Sequence, residues 1–422
     1  MRKISITFLL CCMMGFSITE TLSAADLKNK TYSLIESSNK FGIDFYRTLL
    51  QQKTNLCFSP ISLQITLATA YAGARGKTAE EMAKVLYVPK NSQSYHNAFL
   101  TLFKNLDTRQ TAKSYQLFIN NSMWVQKGYD LFPNYVSFVQ KNYHSIIGTV
   151  DFTGNLEKAC RTINDRVAKE TNGKIREIAN RNNTPALTRL SLVNTIYFNA
   201  NWSYPFRRRE TKSSPFYLLD GRKMRCQMMN KADAVLYYED SCLQAIELPY
   251  SKDISMLIIL PKKYDGLPQL EKTFSCETVA RITDKLKLSD EGEIDIYLPK
   301  FSIKEDIDAK SSLQSLGIKN AFIPGKADFS GMTWRENLYI EVIHSAYIRV
   351  DERGTEAAAV TNMPIPTGCS DAVFKADHPF LFLIRDNQTG LILFIGRLLK
   401  PEMGKFEWRR WSIRNIFRKS GR

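Results

Sequence analysis

The sequence predicts a single mixed α/β (α+β) domain, with helices mainly in the first half and strands mainly in the second. Apolar residues of the first half recur at helical spacing, whereas strand-like apolar runs dominate from Leu187 onward. No Pro-, Gly- or Ser-rich linker separates the halves. The chain has 422 residues, 44% hydrophobic and 24% charged, which is enough material for one large core.

Helical signals are clearest where a start residue precedes a periodic segment. Pro60 follows Ser59 and suits the first turn of a helix, and Thr78 opens the next helix with Glu80 and Glu81 in its first turn. The predicted helices are 29–50, 60–72, one from residue 78, 94–106, 133–143, 156–171 and 268–287.

Strand signals are of two kinds. Ser191–Asn199 is an almost continuous apolar run, which is typical of a strand buried on both faces. Leu338–Val350 instead alternates, so that His344 shares an apolar face and is interpreted as a hydrogen-bonded core residue rather than a catalytic base. The other predicted strands are 115–126, several between 214 and 260, 293–303, and two between Val373 and Leu399.

The two ends differ from the body of the chain. Residues 1–25 have two basic residues, a short apolar run and then Ser23, Ala24 and Ala25, which predicts a signal peptide and a secreted, extracellular protein whose domain spans 26–401. A retained membrane anchor is the alternative.

Residues 402–422 hold seven basic and two acidic residues mixed with aromatic ones. This C-terminal extension suits a membrane surface or a polyanion, and a merely soluble tail is the alternative.

Composition excludes several function classes. Six of the eight cysteines remain after the signal segment, with no CxxC pair, so we expect no metal site. The sequence has no GxSxG, HExxH or phosphate-binding glycine loop and only four histidines, so we expect no catalytic residues, no enzyme and no required cofactor. The net charge of +16 makes a polyanion, such as a glycosaminoglycan, a candidate activator, whereas no motif indicates nucleic acid. We expect a monomer.

A run of small residues follows the strand that ends near Asp351. In extended geometry Thr355, Ala357, Ala359 and Thr361 share one face, and none of them needs much room. Such a segment could enter a crowded sheet interior. An Ala-rich helix that Thr355 caps is the alternative interpretation.

Several longer strings, spread in order across residues 30–401, together resemble the serpin family. They include 55–62 (NLCFSPIS), 73–82 (GARGKTAEEM), 163–167 with 171–175, 192–198 followed by Trp202, 377–382 (DHPFLF) and 393–397 (LFIGR). The resemblance implies a fold of three β-sheets and about nine helices, metastable as made, with an exposed reactive-centre loop. It also implies that a serine protease that cuts this loop is trapped as an acyl complex when the loop inserts into the large sheet.

The resemblance assigns roles to particular residues. The hinge of the loop comprises Glu352, Gly354, Thr355, Glu356, Ala357, Ala358, Ala359, Val360 and Thr361. Ser59, Ser62, Asn194 and His344 correspond to a polar cluster where the sheet opens. Glu352 and Lys300 match a pair at the upper end of the sheet near Trp202; the alternative is a surface ion pair that contributes about 0–1 kcal/mol.

The family's usual register counts fourteen positions from Gly354 and places the reactive bond at Gly368–Cys369, with Thr367 and Cys369 as alternative specificity residues. All three are small, which favours an elastase-like target over a trypsin-like one. Cys369 also leaves open a cysteine protease target, a mixed disulfide or an ordinary bridge. Pro364 and Pro366 are poorly suited to a central strand, so a non-inhibitory binding protein or chaperone is the rival function.

Overall fold

The structure is a computed structural model that describes residues 24–110, 115–171, 173–250, 253–289, 292–355 and 372–402. Residues 1–23 of the predicted signal peptide, the hinge beyond Thr355 with the predicted reactive bond, and the extension from residue 403 lie outside the described residues.

Nine α-helices form in the described part of the chain. They are α1 (Ala24–Thr48), α2 (Pro60–Gly73), α3 (Gly76–Val85), α4 (Ser92–Gln110), α5 (Pro133–Tyr143), α6 (Leu156–Glu170), α7 (Leu267–Thr273), α8 (Cys276–Leu288) and α9 (Lys310–Leu316).

Fifteen strands accompany them in the described ranges. They are β1 (Leu56–Phe58), β2 (Tyr115–Gln126), β3 (Ile146–Val150), β4 (Leu190–Asn201), β5 (Lys212–Tyr217), β6 (Lys223–Glu239), β7 (Leu243–Pro249), β8 (Ile254–Pro261), β9 (Gly292–Pro299), β10 (Phe301–Asp308), β11 (Ile340–Asp351), β12 (Gly354–Thr355), β13 (Ala372–Lys375), β14 (Phe380–Asp386) and β15 (Ile392–Leu398).

Two hydrogen-bonded sheets organise these strands. The larger has the order β1-β15-β14-β8-β7-β6-β9-β13, with β5 also on β6. The long β6 pairs with β7 over Leu236–Glu239 and with β9 over Met228–Val235, so it joins two parts of this sheet. The second sheet has the order β10-β11-β12-β4-β2-β3, with β11 also paired to β4. These two parts and the second sheet together correspond to the three sheets that the resemblance implies.

Helix α2 runs through the centre of the core. Pro60 occupies its first turn, and the Ser59 hydroxyl caps it by accepting from the Ser62 N–H at 3.3 Å. Twelve of its residues are buried, including polar Ser62 and Thr66. A helix that is buried all round must satisfy its polar side chains inside the protein, which places a hydrogen-bonding cluster beneath the second sheet.

The structure corrects two predicted elements. The helix expected over 268–287 is interrupted at Phe274–Ser275, where Ser275 caps α8 by accepting from the Thr278 N–H at 3.2 Å. The strand expected over 293–303 is two strands that belong to different sheets and divide at Lys300, because β9 pairs with β6 and β10 pairs with β11. Strands β1 and β3 and helix α9 were not predicted, and three strands (β13, β14 and β15) lie where two were expected between Val373 and Leu399.

Among the described residues, no helix is both long and apolar enough to cross a membrane. The five described cysteines (Cys57, Cys160, Cys226, Cys242 and Cys276) are all free thiols. Cys369 lies outside this set, so its three alternatives stay open.

Candidate functional site

The centre of the second sheet is a seam between β4 and β11. The two strands pair in parallel from Leu190 with Ile340 to Tyr197 with Tyr347. Beyond Tyr197 they diverge, and the two residues of β12 lie between them, antiparallel to both. The chain that leaves β11 therefore turns back at once and occupies the upper end of its own seam.

Gly354 and Thr355 make this turn possible. Gly354 has a φ of +148°, and a Cβ there would collide with the Ala200 carbonyl oxygen, so no larger residue fits. Thr355 is fully buried, and its hydroxyl hydrogen-bonds the Tyr250 hydroxyl at 2.6 Å. Gly354 and Thr355 of the hinge are thus packed in the sheet. A helix capped by Thr355 would begin at residue 356, outside the described residues, so that alternative stays open.

A charged pair closes the upper end of the seam. The Lys300 ammonium donates to both Glu352 carboxylate oxygens at 2.9 and 2.8 Å, and the Thr211 hydroxyl donates to the same carboxylate at 3.0 Å. Burial alone would raise the pKa of Glu352, but these hydrogen bonds outweigh it and hold that pKa below its usual value. The Glu352 side chain is 6% exposed, so the interpretation as a surface ion pair is wrong.

Trp202 anchors the same region. Its indole N–H donates to the Asp351 carbonyl at 3.0 Å, and its backbone N–H donates to the Arg353 carbonyl at 2.9 Å. The indole stacks on Tyr250 with 4.3 Å between ring centroids. One side chain therefore holds both the end of β11 and the tyrosine that bonds Thr355.

The middle of the seam is crossed by a buried polar cluster. His344 on β11 lies directly beside Asn194 on β4, and its Nδ1 is 2.5 Å from the Asn194 Oδ1. Its Nε2 accepts from the Ser59 backbone N–H at 3.1 Å, and the Ser62 hydroxyl donates to the Asn194 Oδ1 at 2.9 Å. All four residues are fully buried. The structure thus brings Ser59, Ser62, Asn194 and His344 together across the two strands and α2.

The protonation state of His344 follows from these contacts. Nε2 must be unprotonated to accept from Ser59, so the ring proton is on Nδ1 and is donated to Asn194. Burial without a countercharge lowers the pKa of His344 to about 3, and the ring is therefore neutral at physiological pH.

Two further members of the cluster were missed from the sequence. The Asn194 amide donates to the Asn121 Oδ1 at 2.5 Å, and the Thr66 hydroxyl donates to the same oxygen at 2.6 Å. Thr66 stands one helical turn after Ser62, which could have indicated it. Asn121 is recognisable only once β2 is known to pair with β4.

Helix α6 covers the opposite face of the seam. Ile163 and Val167 pack in one apolar cluster with Val193, Tyr197, Ile343 and Tyr347 of the two strands. The Asn164 side chain holds the following loop, since its Oδ1 accepts from the Ile178 and Ala179 N–H groups at 2.9 Å. Any separation of β4 from β11 must therefore disturb α6.

Comparisons with known proteins agree with this architecture. A family model described as Serpin (serine protease inhibitor) matches residues 36–401. An uncharacterized serpin-like protein of Thermococcus kodakarensis is 38% identical over 378 residues, covering 88% of this chain and 86% of that protein. The leukocyte elastase inhibitor of Xenopus laevis is 37% identical over 380 residues, covering 87% and 100%. The structure of human thyroxine-binding globulin with thyroxine matches with a TM-score of 0.81 at 26% identity, covering 89% and 100%.

The close approach at Gly354 leads to a first prediction. Gly354→Ala should lower the free energy of unfolding by about 1–3 kcal/mol, because the added methyl group collides with the backbone of β4. Chemical denaturation followed by tryptophan fluorescence measures this. Gly221→Ala is the control, since Gly221 also has positive φ but an added methyl group there would meet no atom within 4 Å. Equal effects of the two substitutions would contradict the packing of β12.

The neutral His344 leads to a second prediction. Its folded pKa of about 3 is below the unfolded value of 6.5, so the unfolded chain gains a proton first as the pH falls. The contribution of His344 to the free energy of unfolding should therefore be constant above pH 6.5. Below pH 6.5 it should fall by about 1.4 kcal/mol for each pH unit. Urea titrations from pH 8 to pH 5 measure the free energy of unfolding as a function of pH. Below pH 6.5 the slope of this plot should be smaller by that amount in His344→Gln than in the wild type. Parallel curves over the whole range would show that His344 is not held neutral.

Proposed function

This chain belongs to the serpin family, and we propose that it is a suicide-substrate inhibitor of serine endopeptidases that traps the acyl-enzyme by inserting its cleaved loop between β4 and β11. The observation that carries the proposal is β12, because Gly354 and Thr355 already lie in the seam, antiparallel to both strands. The next residues of the loop would then extend β12 between the same two strands.

The register of β12 specifies where each residue would go. Gly354 and Thr355 pair with Asn201 and Ala200 of β4. If the loop continued one row at a time in this register, Ala357 would lie between Phe198 and Ile348, and Thr361 between Asn194 and His344. Thr355, Ala357, Ala359 and Thr361 would then point toward α2 and the buried core, where small side chains are required.

Insertion would also improve the backbone pairing. The seam is now a single parallel ladder, in which each strand has the other as its neighbour. An inserted strand would replace this one parallel ladder with two antiparallel ladders. Antiparallel ladders are also slightly more stable per residue than parallel ones. This difference is the free energy that the proposed mechanism uses to drag and distort the protease.

The specificity is proposed from the small residues Thr367, Gly368 and Cys369 around the reactive bond. They suit a protease with a narrow primary pocket, and the name of the Xenopus relative, leukocyte elastase inhibitor, supports this class. A cysteine protease is the alternative target. We also propose export through the N-terminal segment, action as a monomer, and polyanion or membrane contact through residues 402–422, on the sequence features alone.

A non-inhibitory binding role is the second candidate. Pro364 and Pro366 favour it, because neither can donate a ladder hydrogen bond. Thyroxine-binding globulin, a structural neighbour, carries a binding role in its name.

Trapping can be tested directly with a third prediction. The full chain is incubated with elastase-like, chymotrypsin-like and cysteine proteases and analysed by denaturing gels with mass spectrometry. We expect a denaturant-resistant adduct with an elastase-like serine protease, and a released C-terminal peptide that begins at Cys369. Cleavage by every enzyme without any adduct would favour the binding role.

Substitution at the hinge gives a fourth prediction. Thr355→Arg should abolish the adduct while the loop is still cut, because a buried guanidinium cannot occupy the site beside Tyr250. Thr355→Val is the control: it keeps the size of the side chain and loses only the Tyr250 hydrogen bond, so it should still trap the protease. Normal inhibition by Thr355→Arg would refute insertion as the mechanism.

A further inference from the structure

A groove of about 740 Å³ opens between the ends of α2, α4 and α5 and the loop before β11. This volume is in the range of small-molecule sites. Its walls are largely aromatic, with Phe132, Tyr135, Phe138 and Trp334 all contributing. The described lining includes no acidic residue.

Trp334 is the most unusual of these residues. Its side chain is 89% exposed, the largest exposed fraction among the bulky apolar residues in the described ranges. It is not simply loose, because its ring meets Phe132 edge to face with centroids 4.7 Å apart. A large aromatic surface that is held in place and left in water is typical of a binding site that awaits a planar partner.

Arg75 presents a fixed cation at the same groove. Its Nη1 donates to the Ala74 and Ala72 carbonyls at 2.7 and 3.2 Å. The guanidinium lies against Gly331, where a Cβ would be 2.5 Å from Cζ. Nε and Nη2 have no acceptor among the described residues, so an oriented pair of donors remains for a carboxylate.

His96 supplies a polar group at the base of the groove. Its ring is 7% exposed, and its Nδ1 contacts the Tyr143 hydroxyl. The ring packs edge to face on Phe138 with centroids 5.2 Å apart. Burial lowers the pKa of His96 to about 4, so the ring is neutral at pH 7 and offers no second charge.

We propose that this groove is a binding site for a small planar aromatic carboxylate, whose ring packs against Trp334 and Phe132 and whose carboxylate is bound by Arg75. Charge complementarity selects an anion, because the lining carries a guanidinium and no carboxylate. The proposal does not depend on the inhibitory function, since no residue of the hinge or the polar cluster lines the groove.

Calorimetric titration of the full chain with 2-naphthoate, and with its neutral analogue 2-naphthamide, tests this. We expect one naphthoate per chain and at least about tenfold weaker binding of the amide. Trp334→Ala should weaken naphthoate at least about tenfold, with the melting temperature unchanged because the side chain is exposed. Arg75→Gln should remove the preference for naphthoate over naphthamide.

Leu288→Ala is the matched control, because Leu288 is 81% exposed, apolar and outside the groove. It should leave both affinities as they are. The proposal would be overturned by the absence of saturable naphthoate binding, by equal binding of the amide, or by equal effects of Trp334→Ala and Leu288→Ala.

Discussion

The parallel pairing of β4 with β11 is the constraint on which the rest of the structure depends. The two strands come from distant parts of the chain and meet at the centre of the second sheet. Because a connection leaves β11 at its upper end and reverses immediately, β12 can enter only from that end and only antiparallel. The buried α2 below, the covering α6 above and the Glu352–Lys300 pair at the top are all placed by this seam.

Polar residues hold the seam where apolar residues would be expected. Asn194 and His344 are fully buried, and the hydrogen bond between them forms only while the two strands are adjacent. A purely apolar seam would lose no hydrogen bond on opening, whereas this one would leave the buried Nδ1–H of His344 without its acceptor. In the proposed inserted state Thr361 would stand between them, and its hydroxyl can both donate and accept. The cluster would then oppose partial opening and tolerate complete insertion.

How much the sequence predicted depended on whether the signal was local. The alternation in β11 and Pro60 at the start of α2 are local patterns, and each predicted the element that the structure shows. The division at Lys300 was missed because the residue pattern of an extended segment is the same whether it forms one strand or two strands in different sheets. The contact of Tyr250 with Thr355 joins positions 105 residues apart, and no periodicity encodes it. Asn121 was missed for the same reason.

The position of the two prolines bears on the inhibitory proposal more than their presence does. In the register of β12, residues 356–363 would fill rows 199 to 192 of β4 without interruption. Pro364 would reach only the row of Ser191 and Glu341, one row from the lower end of the β4–β11 ladder. Because Pro364 has no backbone N–H, one hydrogen bond would be lost there, after almost the whole seam has been filled. In the proposed mechanism the rows already formed would drive insertion, so the prolines would shorten its last step and leave the earlier, force-generating steps intact.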